Sequence, residues 1–253
     1  MASDASTRPE ARTTQRTTTL AAEDRTTLLV IAVASTAAFV GGWFPAPDGP
    51  RVGQSSAADV RTWVDANAGA LHTTATAMVI VAMSFIIVAS GLSSLARRRL
   101  RGSMLPELVV GSAVVVAVLT VLDVAAATMS LLLPRLVDTT LADVSDPVVV
   151  SWLAIGGFTH FLGDLQIAFV VLALASGCLI ALRLGLVNRW LCYGGLVISG
   201  CAALGTLGIS LALGALYPLW FVGAFGLYLS LLVLAVSAIL ARRRLGRTSA
   251  QRV

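Results

Sequence analysis

The chain contains no lysine, only two histidines and three cysteines, and few charges of any kind: Asp, Glu, Lys and Arg together make up 12% of its 253 residues. A soluble globular domain carries charge on about a quarter of its residues. Scarcity on this scale excludes an ordinary soluble fold. The cysteines Cys178, Cys192 and Cys201 stand in no C-x-x-C spacing and read as buried thiols acting as small apolar residues. The H-E-x-x-H and G-x-S-x-G signatures are absent, and no paired catalytic motif replaces them, so no catalytic residue is assigned.

What the chain has in abundance is apolar sequence. Hydrophobic residues make up 57% of it and the mean hydropathy is +0.87. Its apolar segments run to about 20 residues, the length that crosses roughly 30 Å of hydrocarbon. The fold class that follows is all-α: a polytopic membrane protein built as one bundle of six transmembrane helices. The spans are expected at about 27–44, 72–96, 107–133, 158–184, 190–213 and 216–241. Residues 1–26, rich in Thr, Ser, Ala and Arg without apolar periodicity, are expected to be a disordered tail, and 242–253 a basic tail. The first apolar run, Thr27 to Phe44, exceeds the 7–15 residues of a signal-peptide core and precedes no clean A-x-A site, so it reads as a retained span.

All 18 basic residues are arginines, and they cluster at span ends. With the N-terminus inside, 15 of the 18 fall on the inner side, leaving Arg51, Arg61 and Arg135 outside. That asymmetry predicts six spans with both termini cytoplasmic. Arginine in place of lysine, together with richness in Ala, Val and Leu, points to a high-GC bacterial source and hence to a bacterial plasma (inner) membrane. The net charge of +5 does not indicate nucleic-acid binding, because the arginines lack interleaved aromatics. The partner implied by the composition is the lipid bilayer.

Between the first two spans, Pro45, Pro47, Gly49 and Pro50 open the longest outer loop. Within it Ser56 can cap a helix with Asp59, and Val60, Trp63, Val64 and Ala68 follow at helical spacing. A separate amphipathic segment lying on the outer surface is expected there. Asp138, Asp143 and Asp146 lack calcium-loop spacing and read as solvated surface. The apolar run from Val148 to Leu184 is 37 residues, about 55 Å of helix and too long for one crossing. A break at Gly156 and Gly157 is expected, leaving an interfacial piece with Trp152. The hexapeptide LARRRL occurs at 95–100 and 240–245, which reads as two stop-transfer clusters rather than a repeat. Glycines at 194, 195, 200, 205 and 208, facing Gly223, Gly226, Ser230 and Ser237, predict a tight hairpin of the last two spans.

Four ionisable side chains within or beside the spans are the ligand- or proton-handling candidates. Asp123 is expected near the middle of the third span, where an unpaired carboxylate is costly and faces the bundle interior. A protonated Asp123 bonded to a neighbouring helix is the structural alternative. His160 and Asp164 lie four residues apart on one helical face, where a carboxylate can orient an imidazole, trade a proton with it or share a cation. An ion pair that merely closes helix packing would look the same in sequence. His72 and His160, at the outer ends of two spans, are the minimum for bis-histidine haem ligation or part of a metal site. Two residues assign neither, so no metal and no cofactor is assigned.

The six-span layout, the outer loop running amphipathically into the second span, and LRLGLVNRWLCYGGLVISG at 182–200 resemble the DUF4386-type bacterial membrane proteins. In that family a span ends in a basic turn of the form "l.prwlg..gli.g" before a glycine-bearing helix; Asn188 stands here where proline is expected. The resemblance implies an architecture, and carries neither an activity nor a site residue. Two functions are expected. The first is a non-enzymatic accessory or small-molecule-binding bundle whose buried Asp and His groups open outward. The second is a proton- or cation-coupled small transporter using Asp123 and Asp164.

Overall fold

The computed structural model describes the backbone of residues 8–44, 47–51, 53–129, 134, 139–211 and 213–250, and side chains over the same stretches except 8–22, 159–165, 209–210 and 246–250. Six long helices dominate: α1 (Arg8–Gly41), α2 (Ala57–Arg99), α3 (Leu105–Ala127), α4 (Asp146–Leu184), α5 (Arg189–Ser210) and α6 (Tyr217–Ala250). Two short 3-10 turns, Leu141–Asp143 and Gly214–Leu216, sit in the connections, and no strand occurs among the described residues. Each long helix holds a stretch apolar and long enough to span a membrane, and these stretches overlap all six expected spans. The protein is an all-α, multi-pass membrane bundle.

Consecutive helices pack side by side and α6 returns to α1, closing a ring that α2 and α4 cross by touching each other. Three buried clusters stack along it. The one at the arginine-bearing end joins Leu28, Ile31, Leu92, Val109, Ile180 and Ala238; the middle one joins Ala38, Phe85, Val116, Ile167, Ala202 and Leu227. Many of the buried positions are alanines, as expected where helices gain stability from close approach rather than from escape from water.

Helix ends follow local chemistry. At α2 the Ser56 hydroxyl accepts from the Asp59 amide at 3.2 Å while the Asp59 carboxylate accepts from the Ser56 amide at 2.8 Å, the capping box legible in the sequence. Helix α4 stops at Gly185, whose φ of 62° lies in the left-handed region, and Leu186 donates back to the Ala181 carbonyl at 3.0 Å.

Three expectations need correction. The amphipathic segment is not a separate surface helix: Ala57–Arg99 is one helix of 43 residues, about 64 Å long. Gly156 and Gly157 do not break α4, which runs unbroken for 39 residues. Both departures have one cause. The first turns of α2 and α4, at the end opposite the arginine clusters, bury Ala57, Val60, Val64 and Leu71 against Val149, with Trp63 and Leu153 packed alongside. That burial outweighs the cost of about 1 kcal/mol for each helical glycine. Two helices this long exceed the roughly 30 Å hydrocarbon thickness, and this cluster joins them at one end. Third, the chain is helical from Arg8 rather than a disordered tail to residue 26. Its Ala and Glu residues favour helix, and Asp24 is anchored to α2 by Arg98 and Arg99 at 3.0 and 2.8 Å. The described part of α3 runs from Leu105 to Ala127 and carries Asp123; the expected continuation through 130–133 lies outside the described residues.

Candidate functional site

The sequence candidates gather toward the end of the bundle opposite the arginines. His72 is half-buried inside the continuous α2, next to Leu71 of the cluster that joins α2 to α4, and its carbonyl accepts from the Thr76 hydroxyl at 2.9 Å. Asp123 is half-buried on α3. The side chains of His160 and Asp164 lie outside the described residues, while their backbone belongs to α4. Register between α3 and α4 follows from Gly156, where an added Cβ would stand 3.9 Å from the Ala126 carbonyl. One turn inward from that contact lie position 123 on α3 and position 160 on the antiparallel α4, so the two backbones are level. Among the described residues no group of three or more His, Cys, Asp and Glu side chains could hold a metal ion.

An apolar cavity lies elsewhere. A void of about 300 Å³ opens among α2 to α6 in the arginine-bearing half, lined by residues such as Phe85, Leu92, Ala113, Gly177, Gly194 and Leu234. Its α4 wall begins at Ala173, more than two turns beyond Asp164, and neither His72 nor Asp123 reaches it. The few polar groups in its wall are the Cys178 and Cys192 thiols, the Trp190 indole and the Ser230 hydroxyl, which donates to the Gly226 carbonyl at 2.7 Å. The three cysteines are all free thiols. Such a lining holds an apolar molecule by shape and offers no carboxylate or imidazole.

Sequence reasoning missed this void because its walls carry no unusual residue type. The signal was present in the glycines of α5, read as if all faced one neighbour. They divide. Cβ atoms on Gly205 and Gly208 would collide with Trp220 and Leu216, and on Gly223 and Gly226 with Ala202 and Ile198, which zips α5 to α6 at the end away from the arginines. Gly195 instead meets Cys178 of α4, and Gly194 has nothing within 4 Å. Gly194 lines the cavity instead of packing on a neighbouring helix.

Val187, Leu191 and Val233 line both this cavity and an adjoining crevice of about 590 Å³ bounded by the Gly185–Asn188 turn and by α6 from Leu232 to Arg244. Three buried polar atoms, Ser35 Oγ, Gln166 Oε1 and Trp220 Nε1, have no hydrogen-bond partner among the described residues. The fold and site define a class, the helical multi-pass membrane bundle with an interhelical apolar cavity. Comparison with protein-family models, with curated proteins and with solved structures finds no match to this chain.

Proposed function

We propose that this protein is a non-enzymatic, small-molecule-binding membrane bundle whose ligand is an apolar molecule held in the cavity among α2 to α6. The carrying observation is the cavity itself: about 300 Å³, walled by five helices, almost wholly apolar and without an ionisable carboxylate or imidazole in its lining. Its volume is at the lower edge of the range for small-molecule pockets, which are commonly apolar with a few polar groups for orientation. The expected use of Asp and His groups on the outer side is not part of this reading, because the cavity lies in the opposite half. The arginine asymmetry supports a bacterial plasma membrane setting with both termini in the cytoplasm. The six-helix layout and the basic turn before the glycine-bearing α5 support kinship with the DUF4386-type proteins.

The test uses neutral apolar compounds and the full-length protein in detergent. Saturating ligand raises the Tm of the parent, because a ligand that binds only the folded state stabilises it. Gly194→Phe fills the open space beside Gly194 and abolishes the shift while leaving the unliganded Tm unchanged. Equal shifts in parent and variant, or none in the parent across such compounds, would sink the proposal.

A second reading, proton- or cation-coupled transport through Asp123 and Asp164, is favoured by one observation, the level placement of positions 123 and 160 on adjacent helices. In proteoliposomes, Asp123→Asn and Asp164→Asn would then fold normally and lose pH-driven uptake. Absence of any pH-driven uptake by the parent removes this reading.

A further inference from the structure

The cavity does not close on itself, and its mouth differs in chemistry from its interior. Resting on the apolar-ligand reading above, we propose that its occupant is an anionic membrane phospholipid, with one acyl chain between α5 and α6 and its phosphate against Asn188 and Arg244.

Three observations converge. Trp190, Leu191 and Leu229 line the cavity yet are 69%, 52% and 56% exposed, so the cavity is open at the side of the bundle, on the flank of two helices apolar enough to span a membrane. An acyl chain can enter there without leaving hydrocarbon. The crevice that adjoins it ends on Asn188 in the α4–α5 turn and Arg244 in the last turns of α6. An apolar slot thus adjoins, across the shared walls of Val187, Leu191 and Val233, a crevice with a polar and cationic mouth, the division of an amphiphile.

Charge complementarity selects the sign of the headgroup. The described acids at this end, Glu23, Asp24 and Glu107, are paired to Arg97, Arg98 and Arg99 of α2. Arg183, Arg189, Arg242 and Arg243, each within two positions in sequence of a residue that lines the crevice, form no ion pair among the described residues; the Arg189 guanidinium lies instead over the Trp190 ring, 5.6 Å from its centroid. A phosphate there enters a field of excess positive charge. Basic pockets between transmembrane helices are the setting in which anionic headgroups are held. A neutral ligand would use the slot and leave the collar idle.

The full-length chain, purified and exchanged into phosphatidylcholine nanodiscs, is titrated with phosphatidylglycerol and bound lipid is counted by native mass spectrometry after release. The parent retains phosphatidylglycerol at about one per chain, in preference to phosphatidylcholine. Arg244→Gln weakens that retention about fivefold, the loss of one cation contact at a membrane surface. Gly194→Phe, which blocks the slot, removes retention of either lipid. Raising the salt concentration weakens the preference. Equal retention of the two lipids by the parent, or phosphatidylglycerol retention untouched by both variants, overturns the proposal. Neutral apolar compounds that still raise the parent Tm in that event show that the cavity reading stands and only its lipid occupant is wrong. Inorganic phosphate at millimolar concentration that displaces no lipid shows that the acyl chain, not a free anion, is what the site requires, whereas displacement by phosphate alone counts against the acyl seat.

Discussion

Arg61 on α2 and Asp146 at the start of α4 form an ion pair at 2.8 Å, although 85 positions separate them in sequence. The same guanidinium donates to the carbonyls of Leu141 and Val144, so one side chain ties down the entire approach to α4. Asp146 is largely exposed, so the carbonyl bonds matter more than the charge pair.

Arg61→Ala is expected to lower stability by about 1–2 kcal/mol through those lost charged hydrogen bonds. The loss concentrates at the first turns of α2 and α4, read as faster amide exchange at residues 57–71 and 146–153. Arg61→Lys recovers little, because an ammonium cannot span two carbonyls and a carboxylate as a planar fork does. Uniform exchange across all six helices would contradict this assignment.

Gly205 packs on the Trp220 backbone, where no flexible atom can yield. Gly205→Leu should cost about 1–3 kcal/mol by overpacking and separate α5 from α6. Gly200→Leu, at a glycine with nothing within 4 Å, should leave the Tm in detergent unchanged. Similar Tm losses for the two variants would show that glycine content rather than helix contact controls stability.

Asp143 lies in the loop between α3 and α4, and the Thr140 hydroxyl, then the Thr140 amide, hold its carboxyl below the ordinary value of 3.8. A depressed folded value means stabilisation that is complete above pH 3.8 and is lost as pH falls through the folded value. A carboxyl-resonance titration of the parent should show Asp143 protonating below 3.8, and Thr140→Ala should move the midpoint upward. An unchanged midpoint in the variant would remove Thr140 as the cause.

Reporter fusions after Arg101 and after Arg247 should both read cytoplasmic, and one near Gln54 external, as the arginine asymmetry requires. An external reading at the C-terminus would overturn the proposed orientation.

Much of the architecture was legible because lipid imposes a simple rule: each backbone amide must be satisfied within its own segment, so length and hydropathy alone mark the helices. The capping box at Ser56 and Asp59 was equally local, since it needs only residues three apart. The continuity of α2 and α4 was not legible. Gly156 and Gly157 are helix breakers by propensity, and what overrides them is burial of Val149 against α2, a contact between residues nearly 80 positions or more away.

The candidate site divides the same way. Sequence alone determined which residue types are costly in a membrane, and so singled out His72, Asp123, His160 and Asp164 by chemistry. It could not locate a void, because a void is made by what is missing between helices. Spans that are apolar all round show no periodic stripe telling which face meets a neighbour and which meets lipid. Only the tertiary structure sends Gly205 to α6, Gly195 to α4 and Gly194 to empty space. In lipid those faces are chosen by shape complementarity over whole helices rather than by hydropathy, and shape is a property of the assembled bundle.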